Sequence, residues 1–133
     1  MPRELTGHKV NGVNDGLDVL VLDDPGSGGA NHKYVIQQPP PPVGRRQDGI
    51  TFVERVVVPI EFQNGPIKEV GINGITHETL TAILIDRFEG FQRGPYACDD
   101  NEEALGYFRK AQEAMLRRTK ARAARGVEGT HAV

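Results

Sequence analysis

At 133 residues, with one cysteine and a formal net charge of −2, the chain has the size of one ordinary domain. It can form no internal disulfide and lacks the cationic excess of a general DNA or RNA binder. Sixteen glycines and nine prolines predict a loop-rich fold around a modest core that gains from self-association. No apolar run reaches the ~20 residues of a membrane span, and the first eleven residues lack the apolar centre of a signal peptide. A cytoplasmic protein without a membrane partner is therefore expected.

Residues 1–16 are polar, glycine-punctuated and aperiodic, and predict a flexible N-terminal arm. Residues 17–22 and Tyr34-Val35-Ile36 have the character of two short strands, separated by the turn-rich Asp23-Asp24-Pro25-Gly26-Ser27-Gly28-Gly29. Four consecutive prolines, Pro39 to Pro42, then Gly44, Arg45 and Arg46, can pair few backbone amides and predict a mobile loop over 37–49. Residues 50–62 (ITFVERVVVPIEF) carry the strongest strand signal, with Pro59 expected at an edge or a bulge. Asn64-Gly65-Pro66 turns the chain, and 67–72 is expected to return as the second strand of a hairpin. The sheet region so defined covers 17–73.

From 74 onward the hydrophobic period changes. Thr76 is the expected N-cap of a helix reaching about 92, with Glu78 in its first turn near the positive end of the dipole. Leu80, Ile83, Leu84, Phe88 and Phe91 recur at steps of three and four and form its expected buried stripe, until Gly94-Pro95 breaks the pattern. A second helix over about 100–124 is expected to be capped by Asp99 or Asp100, with Glu102 or Glu103 completing a capping box. Its inner stripe would be Leu105, Phe108, Ala111, Met115 and Thr119, up to Gly126. Residues 74–133 thus form an antiparallel hairpin. The expected class is α+β: a small antiparallel β-sheet followed by a C-terminal antiparallel two-helix hairpin that mediates oligomerisation.

Residues 109–125 hold Arg109, Lys110, Arg117, Arg118, Lys120, Arg122 and Arg125 against one acid, Glu113. Arg118, Arg122 and Arg125, four and three apart, share a helical face and can turn several guanidinium forks toward phosphate oxygens. A solvated basic face balancing the C-terminal dipole is the plain alternative, and spacing alone leaves both open. At the bend, Phe91, Gln92, Tyr96 and Asn101 supply aromatic surface for a base and amides for its polar edge; core packing accounts for Phe91 equally well. A rise of about 1.5 Å per residue puts Asn101 and Arg118 roughly 25 Å apart on one helix, beyond the reach of a mononucleotide-sized ligand. A pocket using both must combine the bend of one hairpin with the basic end of another, as two antiparallel hairpins of a two-fold dimer provide.

Other motifs are weaker. Gly26-Ser27-Gly28-Gly29 lacks the Lys-Ser/Thr ending and the following helix of a phosphate loop, and reads as a turn. His77-Glu78 opens like a zinc-protease helix, but Thr81 stands at the second histidine position and His8, His32 and His131 show no ligand spacing, so no metal is expected. Cys98, between loop and acids and with no histidine near in sequence, reads as a buried structural thiol. Glu54, Glu61, Glu69 and Asp86 show no pairing suited to acid–base work, so neither a catalytic residue nor a cofactor is expected.

The stretch Phe62-Gln63-Asn64-Gly65-Pro66-Ile67, with Glu69, Gly71-Ile72-Asn73-Gly74 and His77-Glu78, resembles the phage anti-Thoeris sponge family of the first type. Phe91-Gln92-Arg93-Gly94-Pro95-Tyr96-Ala97-Cys98, Asn101, Ala104-Leu105, Arg118-Thr119, Arg122 and 125–130 (RGVEGT) are similar to the helical hairpin shared by anti-Thoeris and anti-CBASS sponges. The resemblance covers the chain from about residue 30 onward. It implies a non-enzymatic sponge in the cytoplasm of a phage-infected bacterium, which sequesters a cyclic nucleotide immune signal without cleaving it. The implied ligands are glycocyclic ADP-ribose, an isomer of cyclic ADP-ribose, and cyclic di- and trinucleotides; the implied assembly is a homohexamer built through the hairpins. Carried onto this sequence, Phe91 stacks on adenine, Asn101 binds a polar edge, and Arg118 and Arg122 take the diphosphate. Arg118-Thr119 is the counterpart of a cyclic trinucleotide contact, and Lys68 of the family's basic contact from the sheet side. Two rivals stand beside this reading: a hydrolase of a nucleotide signal, and a protein-binding module that docks its basic helix on an acidic partner.

Overall fold

The computed structural model describes residues 2–39, 45–47, 50–52, 56–126 and 130. The chain divides into two compact units, Met1–Glu61 and Phe62–Val133, and its class is α+β.

The first unit contains, in chain order, β1 (Arg3–Leu5), a short helix α1 (Gly12–Gly16), β2 (Asp18–Val21), β3 (Lys33–Gln37), β4 (Arg45–Gln47), β5 (Ile50–Phe52) and β6 (Val57–Glu61). Four strands form an antiparallel sheet in the order β1-β2-β3-β6, and β4 pairs with β5. Residues 1–16, expected as a flexible arm, thus hold an edge strand: Arg3, Glu4 and Leu5 pair with Val21, Leu20 and Val19. Three residues with little apolar alternation carry no strand signal of their own, so the partner decides their conformation. Within the expected mobile loop 37–49, Gln37 belongs to β3 and Arg45–Gln47 pairs with Ile50–Phe52, while 40–44 and 48–49 lie outside the described residues. The single strand expected over 50–62 is two strands, β5 and β6, and 53–55 lie outside the described residues.

β6 pairs with β3, not with 67–72. The Gln38 N–H donates to the Val56 carbonyl at 2.8 Å. By the alternation of an antiparallel ladder, Val57, Pro59 and Glu61 therefore turn their backbone groups outward. Pro59 sits on the edge strand, where its missing N–H costs no ladder bond, as its residue type requires. The turn between β2 and β3 is held by Asp23, whose carboxylate accepts the His32 and Lys33 N–H groups at 3.0 and 3.1 Å. Asn31 donates to the Asp23 carbonyl at 2.6 Å and accepts from Arg3 at 3.0 Å, which ties β1 to the same turn.

The second unit opens with a parallel bridge between Phe62 and Ile75, then α2 (Ile67–Val70), α3 (His77–Gln92) and α4 (Asp99–Ala124). Where 67–72 was expected as a strand, the chain forms a helical turn inside a side-chain clasp. Gln63 Nε2 donates to the Gly71 carbonyl at 2.8 Å and its Oε1 accepts the Asn73 N–H at 2.9 Å. Asn73 answers with Oδ1 accepting the Asn64 N–H at 2.8 Å and Nδ2 donating to the Asn64 carbonyl at 2.7 Å. Two amide side chains thereby satisfy backbone groups that a neighbouring strand would otherwise have served. Gly71 supplies the positive φ of 73° that ends α2.

Thr76 caps α3 as expected: its Oγ1 accepts the Thr79 N–H and the Thr79 hydroxyl accepts the Thr76 N–H, a capping box with threonine at both ends. At α4 the N-cap is Cys98, with no side-chain capping bond, so the expected Asp99 or Asp100 cap is replaced by acids in the first turn. α3 and α4 pack along Thr81, Ile85 and Phe88 on one side and Leu105 and Phe108 on the other, with the two phenylalanine rings 5.5 Å apart. Leu105 is the best-buried side chain among the described residues of this unit. The expected α3 stripe is displaced around the helix: Ile83, Leu84 and Phe91 are exposed. The apolar arc of α3 is wider than one partner helix covers, and the pattern of residue types alone does not say which half faces α4.

Candidate functional site

The hairpin places the candidate residues at its two ends. At the bend, Phe91 closes the last turn of α3 with 42 % of its surface exposed, and Tyr96 projects from the connecting loop with 75 % exposed. Asn101 is half-buried in the first turn of α4. Gln92, read from sequence as a ligand amide, is engaged within the bend. Its Oε1 accepts the Cys98 N–H at 3.1 Å, and its Nε2 donates to the Cys98 carbonyl at 3.2 Å and to Glu102 Oε2 at 3.0 Å. One side chain so clamps the end of α3 to the start of α4 and fixes the platform on which Phe91 stands. Cys98, expected to be buried, is exposed: the six-residue connection leaves it on the outer side of the bend, and only its backbone is held.

At the far end, Arg118 is exposed, Thr119 half-buried and Arg125 exposed at the C-cap of α4. Arg122 differs from its neighbours, with 9 % of its surface exposed and Nη2 donating to the Thr130 carbonyl at 3.3 Å. The shared face inferred from the 118, 122, 125 spacing is thus two exposed guanidinium groups flanking one that is covered. Lys68 lies exposed on α2, within the Gln63–Asn73 clasp. Because α4 is one unbroken helix from Asp99 to Ala124, Asn101 and Arg118, seventeen positions apart, stand roughly 25 Å from each other along its axis. The bend cluster and the basic cluster of one chain therefore do not meet.

Two features escaped the sequence reading. Arg87 lies over the Phe91 ring, its guanidinium carbon 5.6 Å from the centroid; the four-residue spacing was the available signal. On another face of α4, Glu113, Leu116, Arg117 and Lys120 line an open groove of about 470 Å³. Among the described residues no three of His, Cys, Asp and Glu converge in a way that could hold a metal ion, and no helix is long and apolar enough to cross a membrane.

Fold and site together define a class: an α+β protein ending in a helical hairpin that is aromatic at its bend and cationic at its far end. The chain belongs to the family described as Acb2/Tad1, hairpin domain, whose model matches residues 54–123, just over half of the chain. It is also similar to a protein named Thoeris anti-defense 1 from Bacillus phage SBSphiJ7, 40% identical over 72 residues, 54% of this chain and 51% of that relative. The match thus spans about half the length of the relative. Both findings agree with the resemblance carried by Phe62–Glu78 and by the hairpin residues.

Proposed function

We propose that the protein is a phage anti-defence sponge, acting in the cytoplasm of the infected host, that sequesters a cyclic nucleotide immune signal without degrading it. Glycocyclic ADP-ribose is the first ligand, and cyclic di- and trinucleotides are further ones. The observation that carries the reading is the distribution of chemistry along one rigid hairpin, with an exposed aromatic ring at the bend and exposed guanidinium groups at the other end. Membership of the Acb2/Tad1 hairpin family and the likeness to Thoeris anti-defense 1 support it. In this reading Phe91 stacks on the base and Asn101, with Tyr96, meets its polar edge. Arg118 and Arg125 of a neighbouring copy grip the diphosphate, joined by Arg122 once its guanidinium leaves the Thr130 carbonyl. Thr119 joins Arg118 at a cyclic trinucleotide contact, Lys68 reaches the ligand from α2, and Gln92 acts by holding the bend.

A pocket drawn from two copies requires an assembly, for which a homohexamer built through the hairpins is the proposed form. Capture needs affinity rather than turnover, and an aromatic platform fixed by Gln92 at a helix end is preorganised for it. Calorimetric titration with glycocyclic ADP-ribose, followed by denaturation and recovery of the ligand, tests both halves of the reading. Tight binding with intact ligand recovered is expected; recovery of a hydrolysed product would establish an enzyme instead. Arg118→Ala is expected to abolish binding with the fold unchanged, and unaltered affinity would remove Arg118 from the site.

A further inference from the structure

Two seams of heptad spacing run along α4. In the first, Asn101, Leu105, Phe108, Gln112, Met115 and Thr119 alternate steps of four and three and are all buried or half-buried. This seam packs on α3 through Leu105 and Phe108. One residue earlier at every step, and so about 100° round the helix, Asp100, Ala104, Tyr107, Ala111, Ala114 and Arg118 form a second seam, exposed at every position but the half-buried Ala104. Tyr107 keeps 63 % of its surface in solvent. Among the described residues, the side chains of Asp100, Tyr107 and Arg118 have no hydrogen bond, ion pair or ring partner. The flank on the other side of the first seam differs: Glu102, Arg109, Glu113 and Lys120 spread charge along its whole length. The second seam is uncharged from Ala104 to Ala114 and carries charge only at its ends, negative at Asp100 and positive at Arg118.

We infer that the second seam of α4 docks the same seam of a second copy, antiparallel, with Asp100 of each copy against Arg118 of the other. The inference deepens the capture reading and rests on it for the presence of a second copy. Parallel pairing would set arginine on arginine and aspartate on aspartate. Antiparallel pairing sets opposite charges together at both ends of a two-fold interface, so the seam is complementary to itself. Asp100 opposite Arg118 also fixes the register, with the two-fold axis midway, at position 109. Every other pair follows. Ala104 meets Ala114, and Tyr107 meets Ala111, so the large ring of one copy lies over a methyl group of the other and the helix axes can approach to about 8 Å. The same register brings Asn101 level with position 117 of the second copy, one residue from Arg118. The charge pattern and the reach of a ligand held by Asn101 and Arg118 thus select one alignment to within a residue. An acid beside a bend that receives an anion then has a role: Asp100 orients the guanidinium of the second copy, not the ligand.

The experiment is oxidative cross-linking of the full chain in a Cys98→Ala background, with Ala104→Cys and Ala114→Cys copies mixed. In the inferred register these two positions face each other within the ~7 Å between Cα atoms that a disulfide spans, whereas two copies of either variant alone hold their cysteines about 15 Å apart along the axis. A disulfide dimer from the mixture, and none from either variant alone, is expected. In sedimentation, Asp100→Arg and Arg118→Asp should each weaken self-association about tenfold, because two symmetry-related contacts turn repulsive at once, and the double exchange should restore it. Disulfide dimers from either variant alone, or none from a mixture that sediments at wild-type mass, overturn the seam. A double exchange that associates no better than the single ones overturns it as well. Titration of wild type with glycocyclic ADP-ribose separates this inference from the reading beneath it. Binding without the mixed disulfide removes the seam and leaves capture standing; the mixed disulfide without binding removes capture and leaves the seam. A wild-type chain that sediments as a monomer removes the seam together with the two-copy pocket.

Discussion

Gly74 shows how a single residue type can be dictated by its neighbours. A Cβ built there would stand 2.6 Å from the Gln63 nitrogen and from the Phe62 carbonyl oxygen. Those are backbone atoms, pinned by the Gln63–Asn73 clasp, and cannot swing aside. Gly74→Ala is therefore expected to cost roughly 3 kcal/mol or more, read as a drop in the urea midpoint without a change in slope. Asp23 makes a different residue-scale prediction. Burial pushes its carboxyl pKa up, but the backbone N–H groups of Lys33 and His32 outweigh that and hold it below the usual range. A carboxyl lowered on folding contributes stability that is complete above the unfolded value of about 4 and is lost as pH falls through the folded value. The stability gap between wild type and Asp23→Ala should accordingly be constant above about pH 5 and shrink toward pH 2, measured by urea unfolding across that range.

Among the elements, the hairpin depends on a narrow seam and a clamped bend. Leu105, 2 % exposed, fills the seam between α3 and α4. Leu105→Ala should cost about 3 kcal/mol, checked by thermal unfolding. Gln92 makes three hydrogen bonds across the bend, so Gln92→Ala removes all three and is expected to cost about 1 kcal/mol. Hydrogen exchange would locate that loss in the first turn of α4. Faster exchange at the Cys98 N–H, with the middle of α4 unchanged, would mark the clamp as local. Residue spacing made the two helices legible because their periods are long and their breakers, Gly94-Pro95 and Gly126, are unambiguous. The clasp was not legible, since a sequence of β-branched residues between turn signals is common to a strand and to a short helix held by side chains.

In the whole molecule, the exposed apolar stripe of α3 is the feature a single chain leaves unfinished. Ile83, Leu84 and Phe91 lie outside the α3–α4 seam, and with few buried side chains among the described residues the chain gains by covering them with another copy. Leu84→Asp should lower the mass measured by sedimentation equilibrium while the helical signal in circular dichroism stays intact. Because the proposed pocket draws its aromatic and cationic halves from different copies, the same variant should lose nucleotide binding. A monomer that still binds glycocyclic ADP-ribose tightly would refute the two-copy pocket. The cationic end of α4 predicts that wild-type affinity weakens as salt is raised, since exposed Arg118 and Arg125 are open to screening.

Local order along the chain was enough to determine the class, the positions of α3 and α4, the Thr76 cap, the edge placement of Pro59 and the family resemblance, because each rests on short-range stereochemistry or on contiguous motifs. It also separated the aromatic bend from the basic end, since the length of a helix follows from its residue count. Tertiary structure alone decided that Arg3–Leu5 completes the sheet, that β6 pairs with β3, and which arc of α3 meets α4. It alone showed that Arg122 is covered, that Cys98 is exposed, and that Arg87 rests on Phe91. Those outcomes depend on which surfaces meet after folding, and many arrangements of neighbours are compatible with one pattern of apolar and polar residues.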